Sequence, residues 1–167
     1  MGMTASRPLL GAVAVYESFQ ARPLTALAYL IAAQITDADG YVARKLDATS
    51  KVGAYADTMA DGALRVESAA VLATVINPVL GALALLAEAD VISSNAKHNT
   101  RDLAQVPIIP KGAKHGTVAQ DIGVSAALLG EGIGKANISA AGGAIVAASS
   151  LWRARSYRQV FKYQEKK

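Results

Sequence analysis

The stretch that most constrains this chain covers residues 37–61 and reads DADGYVARKLDATSKVGAYADTMAD. Within it lies the spacing D-G-x2-A-R-x8-G-x3-D-x3-D, whose specified positions are Asp39, Gly40, Ala43, Arg44, Gly53, Asp57 and Asp61. Residues four apart on an α-helix share a face. The spacing therefore predicts two helical pieces, the second of which carries Gly53, Asp57 and Asp61 as one stripe. The polar segment KLDATSKV between them predicts a turn that brings the two faces together.

Clustered carboxylates in this stretch predict a divalent-metal site, because acids held close together repel one another unless a cation neutralises them. Oxygen ligands suit magnesium, manganese or calcium better than zinc, and the chain has no cysteine for a thiolate site. Arg44 is suited to a phosphate, since a guanidinium can donate two parallel hydrogen bonds. The alternative is a pair of amphipathic helices whose acids face water. Seven specified positions at fixed spacing favour the metal site.

This spacing resembles the signature of the CDP-alcohol phosphatidyltransferases, integral membrane enzymes of phospholipid synthesis. The family pattern is D-x2-D-G-x2-A-R-x8-G-x3-D-x3-D, and the chain matches every specified position from Asp39 to Asp61. The first aspartate of the pattern would fall at Thr36, whereas the nearest acid is Asp37. Thr36 and Asp37 resemble the Thr-Asp pair that often precedes the family motif, with one intervening residue lost.

The resemblance implies a reaction and assigns roles by position. A phosphatidyl group would pass from a CDP-linked lipid such as CDP-diacylglycerol to an acceptor alcohol, expected to be glycerol 3-phosphate, with release of CMP. Asp61 is the implied general base. The implied ligands of Mg²⁺ or Mn²⁺ are Asp37, Asp39, Asp57 and Asp61, and the residues implied to contact the CDP moiety are Gly40, Ala43, Arg44 and Gly53. Homodimers are common in this family, so a homodimer is an expected assembly.

A second stretch, residues 112–120 (GAKHGTVAQ), is similar to the segment that opens the fifth helix in the phosphatidylglycerophosphate synthase and cardiolipin synthase branches. The corresponding residues are Gly112, Lys114, Thr117 and Gln120. Lys111, Lys114 and Arg101 are candidates to bind an acceptor phosphate by charge attraction. The alternative is that they are ordinary basic residues of a cytoplasmic loop.

Composition and pattern predict one all-α domain, an integral membrane bundle of about six transmembrane helices. Hydrophobic residues make up 52% of the 167 positions and charged residues 18%, and this length suits a single domain. Helices are expected at 7–19, 23–45, 53–76, 78–97, 115–131 and 138–155, followed by a basic tail from about 156. No 18-residue run is free of polar residues, so no span is unambiguous from hydropathy alone.

Basic residues are expected to gather on one side of such a bundle. If six spans alternate, fourteen of the 17 basic residues fall on the side that holds the N-terminus and the C-terminal tail. The other side keeps Arg22 and Lys135, while Arg65 lies within a helix. The positive-inside rule makes the basic side cytoplasmic, which predicts a multi-pass protein of the cell membrane with its acidic motif open to the cytoplasm. The tail, basic with interleaved aromatic residues, favours contact with anionic membrane lipids over nucleic acid.

Acids within the predicted spans need partners, because each costs on the order of 2.5–3.5 kcal/mol at the bilayer centre. Arg65 can pair with Asp61 one turn away or with neighbours of Glu67. Glu88 and Asp90 either face the motif cavity or lie at the membrane interface. Sequence reasoning gives no function to Asp121 and Glu131.

Three hypotheses follow from the sequence. The first is an active phosphatidyltransferase. The second is a member of the same family that binds metal or CDP-lipid without turnover, motivated by the displaced Asp37. The third is a soluble helical bundle with no transferase activity.

Overall fold

Six α-helices make up the regular structure of the described residues. The computed structural model describes residues 6–36, 51–99 and 109–164, and these residues contain no strand. The helices are α1 (Ser6–Phe19), α2 (Pro23–Ile35), α3 (Lys51–Val75), α4 (Pro78–Asn99), α5 (Lys111–Gly132) and α6 (Ala136–Gln164). The predicted all-α class is confirmed for this part of the chain.

Proline begins two of the helices near the predicted positions. Pro23 is the first residue of α2 and Pro78 the first residue of α4, where the missing N–H group has no intrahelical partner to lose. The Asn77 side-chain oxygen accepts hydrogen bonds from the N–H groups of Val79 and Leu80, at 2.9 and 3.1 Å. This is a helix N-cap, so Asn77-Pro78 both ends one helix and starts the next. The second helix ends at Ile35, and residues 37–45 of its predicted range lie outside the described residues.

The last two helices are longer than predicted. α5 begins at Lys111 rather than 115, directly after Pro110, whose carbonyl accepts hydrogen bonds from the N–H groups of Ala113 and Lys114. α6 continues to Gln164 rather than ending at 155. Its extension is stabilised by burial, because Tyr157 and Phe161 form a small apolar cluster with residues of α4 and α5. A basic sequence with interleaved aromatics is therefore helical here up to Gln164.

The α5–α6 pair packs through small residues. A Cβ atom added to Gly142 would lie 2.5 Å from the backbone nitrogen of Ala127 and from the carbonyl oxygen of Gly123. One added to Gly130 would lie 2.4 Å from the backbone nitrogen of Ser139. Only residues without larger side chains let two helix backbones approach this closely, a packing mode that is common between membrane helices. These glycines therefore let the backbones of α5 and α6 pack closely at both positions.

The core of the bundle is mainly apolar, but it also encloses charged side chains. Several charged or amide side chains are almost fully buried, among them Arg65, Glu88, Gln120 and Arg153. Many large apolar side chains are exposed on the surface of the bundle. The most exposed of them include Leu9, Tyr16, Phe19, Leu24, Ile35, Val79, Leu86, Val118, Ile122 and Trp152. The structure therefore combines buried ion pairs with many exposed apolar side chains.

One described helical stretch, Pro78–Ala96 of α4, is both long and apolar enough to cross a membrane. The apolar helix α2 has only 13 residues, about 20 Å at 1.5 Å per residue. Helix length and composition therefore do not establish the predicted six spans. α1 is also short, with 14 residues.

Candidate functional site

The second half of the acidic motif lies on α3. Gly53, Asp57 and Asp61 follow one another at four-residue intervals along this continuous helix, so they occupy successive turns of one face. Asp61 is partly open to solvent, with its side chain 34% exposed. A ligand can therefore reach this carboxylate from outside the bundle.

Three arginines from three helices surround the Asp61 carboxylate. Arg7 Nη2 of α1 lies 3.7 Å from Asp61 Oδ1, Arg65 Nε of α3 lies 3.5 Å from the same oxygen, and Arg153 Nη2 of α6 lies 3.7 Å from Oδ2. Each separation exceeds the usual N–H···O range of about 2.7–3.2 Å. The contacts are thus mainly electrostatic, and no described residue makes a short hydrogen bond to the lone pairs of Asp61.

Arg65 is held in place by a second acid. Its Nη1 donates to Asp121 Oδ1 on α5, and Gln34 Nε2 on α2 donates to the same oxygen at 3.0 Å. Because Arg65 is only 1% exposed, its charge is compensated by Asp61 and Asp121 and hardly at all by water. Asp121, which sequence reasoning left without a function, thus orients the arginine nearest to Asp61.

Arg153 is held in the same way on the other side of Asp61. Its Nη1 donates to Glu88 Oε2 and to Gln120 Oε1, both at 3.0 Å. Gln120 Nε2 is in turn 3.4 Å from the backbone oxygen of Arg65, to which it donates. Gly116 makes room for this arrangement, since a Cβ there would lie 2.5 Å from Arg153 Cγ. The side chain of Arg153 therefore joins α3, α4 and α5 to α6.

These six charged residues form one unit, which we call the arginine–acid cluster: Arg7, Arg65, Arg153, Asp61, Glu88 and Asp121. Three cations balance three carboxylates, so the cluster can be buried without net charge. The Nε atoms of Arg65 and Arg153 are buried and have no hydrogen-bond partner within the described residues. Each of these two guanidinium groups therefore has one N–H that makes no short hydrogen bond inside the cluster.

The residues present fit a divalent cation in part. Asp57 and Asp61 supply carboxylate oxygens from adjacent turns, and oxygen donors are those that Mg²⁺ and Mn²⁺ prefer. No group of three or more acids or histidines that could hold a metal occurs among the described residues. The other two predicted ligands, Asp37 and Asp39, lie outside that part of the chain.

The remaining predicted site residues fall in two groups. Lys111 and Lys114 lie in the first turn of α5 with exposed side chains. The other predicted positions, Gly40, Ala43, Arg44 and Arg101, lie outside the described residues.

Of the two partners predicted for Arg65, the pair with Asp61 is confirmed. Of the alternatives for Glu88 and Asp90, Glu88 belongs to the cluster, whereas Asp90 lies at the surface and accepts a hydrogen bond from Arg158 Nε at 2.7 Å.

Comparisons with known proteins give one result. The sequence profile described as CDP-alcohol phosphatidyltransferase matches residues 2–152. This range contains the whole acidic motif and all of the described helices up to Trp152. Neither the curated proteins nor the solved structures gave a significant match.

Proposed function

Because the chain belongs to the CDP-alcohol phosphatidyltransferase family, we propose that it transfers a phosphatidyl group from CDP-diacylglycerol to the hydroxyl of glycerol 3-phosphate and releases CMP. The observation that carries the proposal is the setting of Asp61. This carboxylate is partly exposed, accepts no short hydrogen bond from the described residues, and lies among three guanidinium groups. A proton acceptor next to fixed cations suits the attack of a hydroxyl on a phosphorus of a pyrophosphate.

The proposed step forms one P–O bond and breaks another. The acceptor hydroxyl oxygen attacks the lipid-side phosphorus of the pyrophosphate, and Asp61 takes the hydroxyl proton. The bond from that phosphorus to the bridging oxygen breaks, and CMP leaves with the electron pair. Arg153 and Arg65, fixed by Glu88 and Asp121, present positive charge towards the phosphate oxygens without having to reorganise.

Asp57 and Asp61, together with Asp37 and Asp39, are the residues proposed to hold Mg²⁺ or Mn²⁺. A bound divalent cation would neutralise charge on the pyrophosphate oxygens. Gly40, Ala43, Arg44 and Gly53 are proposed to contact the CDP moiety, as the family resemblance implies. Gly53 lies two turns before Asp61 on α3, which is compatible with one ligand touching both residues.

A phosphorylated acceptor is supported by two exposed lysines at the start of α5. Lys111 and Lys114 are exposed in the first turn of α5, and Gly116, on the next turn, packs against Arg153. We assign to these lysines and to Arg101 the attraction of the acceptor phosphate. A neutral acceptor alcohol would gain nothing from this charge.

We also propose that the bundle is embedded in the cell membrane, with Asp61 open to the cytoplasm. The many exposed apolar side chains support this placement, because lipid can cover them while the cluster satisfies the buried charges internally. The concentration of basic residues on one side supports the orientation. Recovery of the protein from cells in the aqueous phase without detergent would contradict the placement.

The transfer reaction is tested by an acceptor screen. Membranes that contain the protein are supplied with CDP-diacylglycerol, Mg²⁺ or Mn²⁺, and one of glycerol 3-phosphate, glycerol, inositol or serine. With glycerol 3-phosphate only, we expect release of CMP and formation of phosphatidylglycerophosphate. Addition of EDTA should abolish both. Release with a different alcohol would overturn the assigned acceptor. Binding of CDP-diacylglycerol without CMP release for any acceptor would overturn the proposed turnover.

A further inference from the structure

A groove between α4 and α6 lies on the outside of the bundle, away from the arginine–acid cluster. Its volume is about 510 Å³, and its walls include Leu83 and Leu86 of α4 and Leu151 of α6. A second cavity of about 440 Å³ adjoins it along α6 and is lined by Leu151 and Trp152 together with Arg155, Ser156 and Gln159. Leu151 and Leu86 are 50% and 70% exposed, so the apolar walls are open to a ligand.

The groove is polar at one end and apolar at the other. Glu88 pairs with Arg153 and Asp90 with Arg158, so the two helices run parallel. The three leucines therefore lie towards one end, and Asp90, Arg155 and Arg158 lie towards the other. This polar end is at the level of Arg153, which contacts Asp61 on the inner side of α6. Arg155 follows two residues later, roughly 200° around the helix, and faces outward.

Arg155 is an exposed cation with no hydrogen bond or ion pair to any described residue. Arg158, one turn further along α6, donates from Nε to Asp90 Oδ2. Its two Nη groups make no hydrogen bond to a described residue. A guanidinium is well matched to a phosphodiester, which accepts two parallel hydrogen bonds. Exposed arginines beside apolar side chains on both sides of Leu151 match the two parts of a lipid, a charged headgroup and hydrocarbon chains.

We propose that this groove binds one molecule of an anionic phospholipid, with its phosphate on Arg155 and Arg158 and its two acyl chains on either side of Leu151. The inference rests on the membrane placement proposed above and is independent of the transfer reaction. Charge complementarity selects the occupant: Arg155 and Arg158 outnumber Asp90, and a zwitterionic lipid would add its own cation next to these two arginines. The site is separate from Asp61, since Arg153 and Arg155 point to opposite sides of α6.

Native mass spectrometry of the full chain in non-ionic detergent tests this proposal. The protein is titrated with dioleoyl phosphatidylglycerol and, separately, with dioleoyl phosphatidylcholine. We expect the first bound phosphatidylglycerol to have at least about tenfold higher affinity than phosphatidylcholine, and Arg155→Gln to remove that preference. Arg22→Gln is the matched control, because Arg22 is an exposed arginine at the α1–α2 turn, and it should keep the preference.

Four results would overturn the proposal. The first two are equal affinity of the protein for the two lipids and an unchanged lipid preference in Arg155→Gln. The third is displacement of bound phosphatidylglycerol by glycerol 3-phosphate at equal concentration, and the fourth is occupation of the groove by a second copy of the chain. The last is checked with Leu86→Cys, which introduces the sole cysteine of the chain. Quantitative disulfide-linked dimers of this variant would identify the second copy as the occupant.

The two proposals can fail separately. Lipid preference without CMP release would leave the groove assignment standing and contradict the transferase. CMP release without lipid preference would leave the transferase standing and contradict the groove assignment. Circular dichroism of Arg155→Gln verifies that the exposed substitution leaves the helices folded.

Discussion

Arg153 Nη2 lies 3.7 Å from Asp61 Oδ2, while Nη1 of the same guanidinium donates to Glu88 at 3.0 Å. One side chain of α6 thus connects the proposed base on α3 with a buried acid on α4. Because Glu88 is only 1% exposed, its charge depends on this arginine. The stability of the bundle and the geometry of its proposed site are therefore coupled through Arg153.

Removal of Glu88 is expected to destabilise the fold. Glu88→Ala should lower the free energy of unfolding by about 3–5 kcal/mol, because buried Arg153 loses its closest carboxylate partner. Glu88→Gln keeps an oxygen acceptor and should cost less. Thermal unfolding in detergent, followed by Trp152 fluorescence, measures both variants. Asp90→Asn, which removes a surface partner of Arg158, is the control and should have little effect. A Glu88→Ala protein as stable as the wild type would contradict the coupling.

Replacement of Arg65 by lysine should reduce activity while keeping the charge. Arg65 contacts Asp121 and Asp61 with different nitrogens of one planar group, and the single ammonium of lysine cannot reproduce both contacts. We expect Arg65→Lys to lower the rate of CMP release about tenfold, in line with the loss of an orienting contact. Arg22→Lys serves as the comparison. Full activity in Arg65→Lys would mean that the orientation of this arginine is unimportant.

Two glycines in helix interiors should respond to alanine with opposite signs. A Cβ at Gly142 would lie 2.5 Å from the backbone of α5, whereas one at Gly62 would meet its nearest atom, in Ile92, at 3.8 Å. Gly142→Ala should therefore lower the free energy of unfolding by about 1–3 kcal/mol through overpacking. Gly62→Ala should raise it by up to about 1 kcal/mol through helix propensity. Chemical denaturation in mixed micelles compares the two, and an equally stable Gly142→Ala would argue against the close α5–α6 packing.

Local patterns in the sequence predicted the local features of the structure. The i, i+4 spacing predicted the Asp57–Asp61 stripe and the Arg65–Asp61 pair, because both depend only on helix geometry. Proline positions predicted the starts of α2 and α4. The end of α6 was missed, since the burial of Tyr157 and Phe161 depends on α4 and α5 and leaves no periodic signal in a basic segment.

Contacts between distant residues could not be predicted in the same way. Arg7 and Arg153 reach Asp61 from the two ends of the chain, and no spacing rule links them. From the sequence, Asp121 and Glu88 could be recognised only as acids in apolar surroundings. Such acids are expected to have a charged partner, but the sequence does not identify it. Gln120 was marked by the resemblance at residues 112–120, but its role between Arg153 and the backbone of Arg65 required the packing of α5 on α6.

The most direct test of the account is the rate of CMP release by Asp61→Asn. Wild type, Asp61→Asn and Glu131→Gln are compared in membranes at equal protein amounts, with CDP-diacylglycerol, glycerol 3-phosphate and Mg²⁺. Glu131 is an exposed acid that accepts a hydrogen bond from Ser139 near the α5–α6 turn. The substitution Glu131→Gln should therefore leave the rate unchanged. We predict that Asp61→Asn lowers the rate at least about 100-fold, as expected for loss of a general base, in a protein that remains folded and inserted. A rate near that of the wild type would contradict the assignment of Asp61 as the centre of the site.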